Sequence, residues 1–197
     1  MTKLLRDVYG NAKAFGSFMI RFVGILWIAV LLVGCDLSLA SLDPGAPTPT
    51  PTLLSQWAAG AEASSQYGLP DWSTARALGP PEVETCTDDP RAWASLRGNG
   101  VEWLTLTFPE PVHASEVRVY QSFGRGAVSR ITLIDLDGDA HVVWEGTDPP
   151  EPCPGMLVVR MPLTDYATQT VRVDLDESRT EYWNQIDAVE LTGMAVR

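Results

Sequence analysis

Beyond Lys13 the chain contains no lysine, and its whole length of 197 residues holds only two histidines and three cysteines. Each shortage excludes something. The net charge is −11, and the first 34 residues contribute +3 (Lys3, Arg6, Lys13 and Arg21 against Asp7), so the chain from Cys35 onward carries −14. A surface of that sign repels phosphate backbones and anionic headgroups, which excludes nucleic acid as a partner. Neither His113 nor His141 lies at ligand spacing from Cys86 or Cys153, so a zinc site of the usual Cys/His kind is not expected. Ser64-Ser65 sit in no nucleophile-elbow context and nothing singles out one pair among the carboxylates, so no enzyme is expected. A long apolar run is missing too. Phe22–Gly34 spans 13 residues, short of the ~20 that cross a bilayer as a helix.

That short run follows the basic segment Met1–Arg21, as the core of a signal peptide does. It ends in Leu32-Val33-Gly34-Cys35, which resembles the bacterial lipobox, where small residues precede a cysteine that is diacylated and becomes the new N-terminus. The resemblance implies residues 1–34 as a lipoprotein signal peptide and Cys35 as a lipid anchor, two chains holding far better than one. The alternative is an N-terminal anchor helix that is never cleaved. Both readings place the remainder outside the cytoplasmic membrane, tied to it. Residues 35–56 then read as the acylated cysteine and a tether, since alternating Pro and Thr over Ala46–Thr52 favour an extended chain. In that oxidising compartment Cys86 and Cys153, each in a Pro- and Asp-rich loop, read as a disulfide; two free thiols are the alternative.

From Trp57 the pattern is strands and turns. Val101–Phe108 alternates Leu104, Leu106 and Phe108 with Thr105 and Thr107, and Pro109-Glu110-Pro111 ends it. Glu116–Ser122 turns Val117 and Val119 inward. Ser129–Asp135 and Ala140–Gly146 flank Asp137-Gly138, a two-residue hairpin signal. Leu157–Met161, Thr170–Leu175 and Ile186–Leu191 follow, the last with Ile186, Ala188 or Val189, and Leu191 facing one way. Short strands at this spacing predict one all-β domain over residues 57–197, an antiparallel β-sandwich or jelly roll. Asp135-x-Asp137-Gly138-Asp139 has calcium-loop character, but an EF-hand needs glutamate at its twelfth position and residue 146 is glycine. A hairpin turn explains the run better.

The opening stretch Ala61–Pro81 (AEASSQYGLPDWSTARALGPP) and the closing stretch Asn184–Gly193 (NQIDAVELTG) resemble those of discoidin, or F5/8 type C, domains, a branch of the galactose-binding-like sandwiches. The likeness extends through EWLTLTFPEPVHASEVRVY and VRVDLD and covers roughly Trp57–Gly193. Discoidin domains link cysteines near their two ends; here the pair is internal. The resemblance implies a non-catalytic module that recognises envelope or extracellular glycans, with a structural or protein-interaction module of the envelope as the alternative. It further implies one structural Ca2+, with Glu190 at the place of the last-strand glutamate. Ala77-Leu78-Gly79-Pro80 lacks the aspartate of the matching loop, which leaves Asp88 and Asp89 as the other ligands. The alternative has Asp187 and Glu190 as exposed strand residues. Trp72 and Trp93 resemble the family's structural loop tryptophans and are expected to pack in the core. For the ligand, the loop Phe123–Ala127 offers Phe123 to stack on a sugar face and Arg125 to donate to it, with Tyr67 and Trp183 next. Arg125 pairing with a neighbouring acid is the alternative.

Overall fold

The computed structural model describes residues 52–196. Cys35, the signal peptide and most of the tether lie outside the described residues. Nine strands make up the rest: β1 (Leu53–Trp57), β2 (Gly60–Ala63), β3 (Trp93–Ala94), β4 (Val101–Phe123), β5 (Val128–Asp135), β6 (Ala140–Glu145), β7 (Gly155–Arg160), β8 (Thr168–Asp176) and β9 (Gln185–Ala195). Two short 3-10 turns, Thr74–Ala77 and Glu177–Arg179, interrupt the loops.

The long strand β4 organises them. Its first half pairs with β2 and β8, and its second half with β7 and β9. The register with β8 breaks between Thr107 and Val112, where Pro109 and Pro111 withdraw their ladder donors and the strand turns a corner. One connected antiparallel sheet thereby folds into two layers: β2, β4, β8, β5 and β6 on one side, and β7, β4, β9, β1 and β3 on the other. The two strands expected on either side of Pro109-Glu110-Pro111 are the two halves of β4, which also carries His113. The first strand begins at Leu53, inside the segment assigned to the tether, and pairs with the end of β9.

Between the layers, Leu104, Leu106 and Phe108 of β4 meet Val117 and Val119 of its second half, Ile131 and Leu133 of β5, and Val171 and Val173 of β8, all at most 1% exposed. Period-2 alternation delivers these side chains to one face. In β9 the alternation slips. Val119 faces Val189 and Tyr120 faces Ala188, but Gln121 faces Ile186, so Asp187 is an extra residue in a β-bulge. The phase reverses there, which puts Ile186, Val189 and Leu191 together in the core. Asp187 and Glu190 are correspondingly buried rather than exposed, at 2% and 9%.

The β5–β6 hairpin differs by one residue from the sequence expectation. Gly138 has φ 93° while Asp137 has an ordinary negative φ, so the two-residue turn that needs both positive does not form. A three-residue loop closes instead through the amide of Asp135 to the carbonyl of Asp139. Cys86 and Cys153 are disulfide-bonded, 67 residues apart in sequence.

Candidate functional site

A cavity of about 120 Å³ opens at the end of the sandwich where β4 finishes and β9 begins, lined by Tyr67, Trp72, Asp88, Phe123, Trp183 and Gln185. Tyr67 stands edge-on to both indoles, its ring centroid 5.4 Å from Trp72 and 6.0 Å from Trp183. Tyr67 and Trp183 keep 52% and 39% of their surface exposed, which leaves aromatic faces open at the rim.

Each wall is held from below. The segment bearing Tyr67 is fixed because Ser64 and Ser65 both donate to the carboxylate of Glu102 on β4, and the Tyr67 amide donates to the carbonyl of Ala94. Trp93, fully buried, donates its indole N–H to the carbonyl of Ser65 at 3.2 Å. Trp72 was expected in the core beside it and is instead half-buried at the pocket. It has φ 52° and, among the described residues, is alone outside glycine in that region, a strained conformation that the surrounding bonds must impose. Its indole N–H donates to Asp88 Oδ1 at 2.9 Å, and the Gln185 side chain donates to the same oxygen at 2.5 Å. Gln185 Oε1 in turn accepts from the Asp89 amide.

The opposite wall rests on Asn184. Its side chain donates to Gln121 Oε1 at 2.6 Å and to the Gly124 carbonyl at 3.1 Å, and its amide donates to Glu177 Oε2 at 3.0 Å. Gly124 is required: a Cβ there would lie 2.1 Å from the Trp183 carbonyl oxygen. Gly98 packs under the Trp183 ring, 3.1 Å from where its own Cβ would stand. Glu177 is fully buried, and burial raises its pKa to about 7 although Asn184 and Ser95 donate to it. Asp187, on the bulge, is also raised by burial; its Oδ2 accepts the amides of Glu82 and Val83 and so pins the loop that leads to Asp88.

Of the four residues expected to meet a ligand, three are brought together: Tyr67, Phe123 and Trp183. Arg125 is not among them. Its side chain is 2% exposed and pairs with Asp148 Oδ1 at 3.2 Å, while it donates to the carbonyls of Pro152 and Met156. The physical reason is the neighbouring carboxylate, itself fully enclosed, which offers Arg125 a charge partner that water cannot replace. Asp148 also accepts from Gln121 at 2.8 Å, so a buried polar chain runs from Arg125 through Asp148 and Gln121 to Asn184, beside Trp183.

The metal ligands are likewise dispersed. Asp88 serves Trp72 and Gln185; Asp89 is paired with Arg91 at 2.6 Å, and hydrogen bonding to Arg91 holds its carboxyl below the usual range. Glu190 accepts from Ser55, Arg118 and Tyr120. Among the described residues no group of three or more His, Cys, Asp or Glu side chains is placed to hold a metal. The calcium implied by the discoidin resemblance therefore does not fit Asp88, Asp89 and Glu190. Asp135 also spends its carboxylate, on the amides of Asp137 and Asp139 and on His141 Nε2 at 2.8 Å. The DxDGD run is a turn.

Sequence reasoning missed Trp72 and Gln185 as pocket residues and gave Asp88 to a metal. The proline before Asp71 and the glycine before Leu69 mark an unusual turn at Trp72, but that its ring lines the cavity depends on the assembled loops.

The family model of the C-terminal SD scarf domain of pappalysin-1 matches residues 50–197. No match is found among the curated proteins. Among solved structures, truncated AlyQ with CBM32 and alginate lyase domains superimposes with a TM-score of 0.53 at 13% identity, over 75% of this chain and 35% of that one. The present chain thus spans about a third of that protein's length. The family 32 carbohydrate-binding module of NanJ from C. perfringens, in complex with galactose, gives 0.52 at 14% identity over 71% of this chain and 99% of the other. Chitosan-binding module 1 of a chitosanase/glucanase from Paenibacillus sp. IK-5 gives 0.50 at 16%, over 68% and 93%. These likenesses establish a galactose-binding-like fold.

Proposed function

We infer, for a chain that belongs to the family of the pappalysin-1 C-terminal SD scarf domain, that the sandwich is a non-catalytic glycan-recognition module. The observation that carries this is the pocket of Tyr67, Trp72, Phe123 and Trp183 around one fixed carboxylate. Aromatic faces stack on the apolar face of a pyranose while the carboxylate takes its hydroxyls. Loops on a rigid sandwich are where such recognition is built, and two structural neighbours carry sugar ligands in their own names, galactose and chitosan. The domain sits outside the cytoplasmic membrane, held there by lipid on Cys35 and lifted by the Pro/Thr tether, so its ligands lie on or close to the envelope.

A glycan array probed with the full-length chain tests the module. Sugars retained by the native protein and lost by a folded Trp183→Ala variant are the expected result. The anchor is tested separately: Cys35→Ser abolishes metabolic labelling with a fatty acid, and labelling that persists removes the lipoprotein reading. One observation favours a second reading. Leu69, Leu96 and Tyr182, which are 79%, 52% and 54% exposed, lie in the segments that carry the pocket, and an apolar rim of this kind suits a protein partner. A protein-interaction module leaves the array blank.

A further inference from the structure

The polar inventory of the pocket is one-sided. Asp88 brings a full negative charge, and both donors that reach it, the Trp72 indole and the Gln185 amide, bond to its Oδ1. Among the described residues its Oδ2 has no hydrogen-bond partner, and no arginine or histidine lines the cavity. The guanidinium groups nearby in sequence are engaged elsewhere: Arg76 with Asp71, Arg91 with Asp89 and Arg125 with Asp148. Arg97, exposed, lies outside the lining. With the Trp72 indole spent, the side-chain donors left at the pocket are the Tyr67 hydroxyl, the Trp183 indole and the second N–H of the Gln185 amide, all of them neutral.

A ligand group entering here meets a carboxylate beside the Trp72 indole, in a domain over residues 57–197 whose net charge is −12 and which contains no lysine. A neutral hydroxyl satisfies the acceptor. An ammonium does more, because it brings three donors and no acceptor, forms a charge-assisted bond to the carboxylate, and is attracted to the faces of the indole and phenol rings. A carboxylate or sulfate on the ligand is repelled by Asp88 and by the field of the whole domain. At about 120 Å³ the cavity is smaller than the ~300–1,000 Å³ of pockets for drug-sized ligands, so it takes one sugar residue or a chain end.

We propose that this pocket selects a sugar residue bearing a free amine, which Asp88 receives as the ammonium between Tyr67, Trp72 and Trp183. The proposal rests on the glycan-recognition reading and narrows it to a substrate class. It places specificity in Asp88 and affinity for any sugar in the aromatic residues.

The test titrates the full-length chain, by calorimetry at low and high salt, with glucosamine oligosaccharides, their N-acetylated counterparts, glucose oligomers of the same length, an oligouronate and a simple alkylammonium. The free-amine oligomer is expected to bind at least tenfold more tightly than the N-acetylated and glucose oligomers. That preference shrinks with salt and as the amine deprotonates at high pH, and the oligouronate does not bind. Asp88→Asn, which keeps an oxygen for Trp72 and Gln185, abolishes the preference while weak binding of neutral sugar remains. The N-acetyl comparison needs no variant, so the proposal stays testable even if Asp88→Asn fails to fold. Neutral or acidic sugars binding as tightly as the amine, or a preference that survives in folded Asp88→Asn, overturns the proposal and leaves the glycan reading intact. An alkylammonium binding as tightly as the amino sugar overturns the glycan reading instead. Binding of none of these ligands overturns both.

Discussion

At the tip of the β5–β6 hairpin, Asp135 finds its hydrogen-bond partners two, four and six residues away, in Asp137, Asp139 and His141. At the pocket the separations are of another order. Asn184 reaches Gln121 across 63 residues, Ser95 reaches Glu177 across 82, and the Asp89 amide reaches Gln185 across 96. The hairpin tip is a local turn whose half-buried carboxylate is satisfied within a few residues, and it reaches the rest of the sheet mainly through the Leu136 amide to the Ala167 carbonyl. The pocket is assembled from five separate chain segments whose polar groups are mostly enclosed, so each depends on the others being in place. A local turn absorbs a substitution locally. An enclosed network transmits it, because a partner left without its bond has no water to turn to.

The largest effect that would sharpen this contrast comes from Arg125. Replacing it with alanine leaves Asp148 enclosed and without its cation, and breaking a buried pair in this way costs roughly 3–5 kcal/mol. A thermal or urea melt of Arg125→Ala should show that loss, and sugar binding should weaken with it through Gln121 and Asn184. Wild-type stability in this variant would mean that the pocket end is no more interdependent than the hairpin. The disulfide comes next. Cys86 and Cys153 close a loop of 67 residues, for which chain entropy gives about 4 kcal/mol. Urea titration of Cys86→Ser with Cys153→Ser, beside reduced wild type, measures it. An effect below about 1 kcal/mol would show that the loops at Asp88 and Pro152 are held by their hydrogen bonds alone.

Glu177 separates the two regions by pH. Its pKa is raised from 4.5 to about 7 because burial disfavours the ionised form. The folded state therefore holds its proton more tightly than the unfolded chain, and unfolding releases that proton between these two values. The contribution to stability is full below about pH 4.5 and is lost as pH rises towards 7, on the order of 3 kcal/mol in all. Asp187, raised for the same reason, acts in the same direction. In Glu177→Gln the fall in stability between these pH values should flatten. At the hairpin tip the sign reverses: hydrogen bonding to His141 lowers the pKa of Asp135, so that group favours folding more as pH rises. A pH–stability profile unchanged in Glu177→Gln would remove Glu177 as its origin.

The same contrast decides how far the sequence could be read. Val101–Phe108, Val117 with Val119, and the Asp-Gly hairpin were legible because alternation and turn chemistry act over a few residues. The pairing of Cys86 with Cys153 was legible because few cysteines were left to pair. The slip in β9 was not, since the bulge at Asp187 depends on a register with Gln121 that is set across the sheet. Arg125 was misread for an instructive reason. On sequence alone the loop Phe123–Ala127 offers the Arg125 side chain to a ligand, and the alternative, a pairing with a neighbouring acid, is what forms with Asp148. Gly124 is there because Trp183 comes too close for a Cβ, and Gly155 because a Cβ would stand 2.3 Å from Arg125 Nη1. Glycine marked close approach, not freedom. Asp88 and Trp72 met the same limit: each residue type was visible, but the bond joining them, and the positive φ that turns Trp72 outward, belong to the assembled loops.

The smallest expected effect lies at the hairpin itself and asks whether its independence is real. Gly138 has φ 93°, and nothing stands within 4 Å of where its Cβ would go. Alanine at that position thus meets no clash; it meets only the backbone cost of a positive φ, about 1 kcal/mol. The strands it joins are otherwise complete, with Ile134 facing Ala140 and Leu133 facing His141. Gly138→Ala should lower the melting temperature by a few degrees and leave the affinity for any pocket ligand unchanged, since no element of the pocket is bonded to residues 135–139. A loss of affinity in Gly138→Ala comparable to that in Trp183→Ala would mean that strain at the hairpin travels along β5 to Gly126 and the pocket wall. The two ends would then be one cooperative unit.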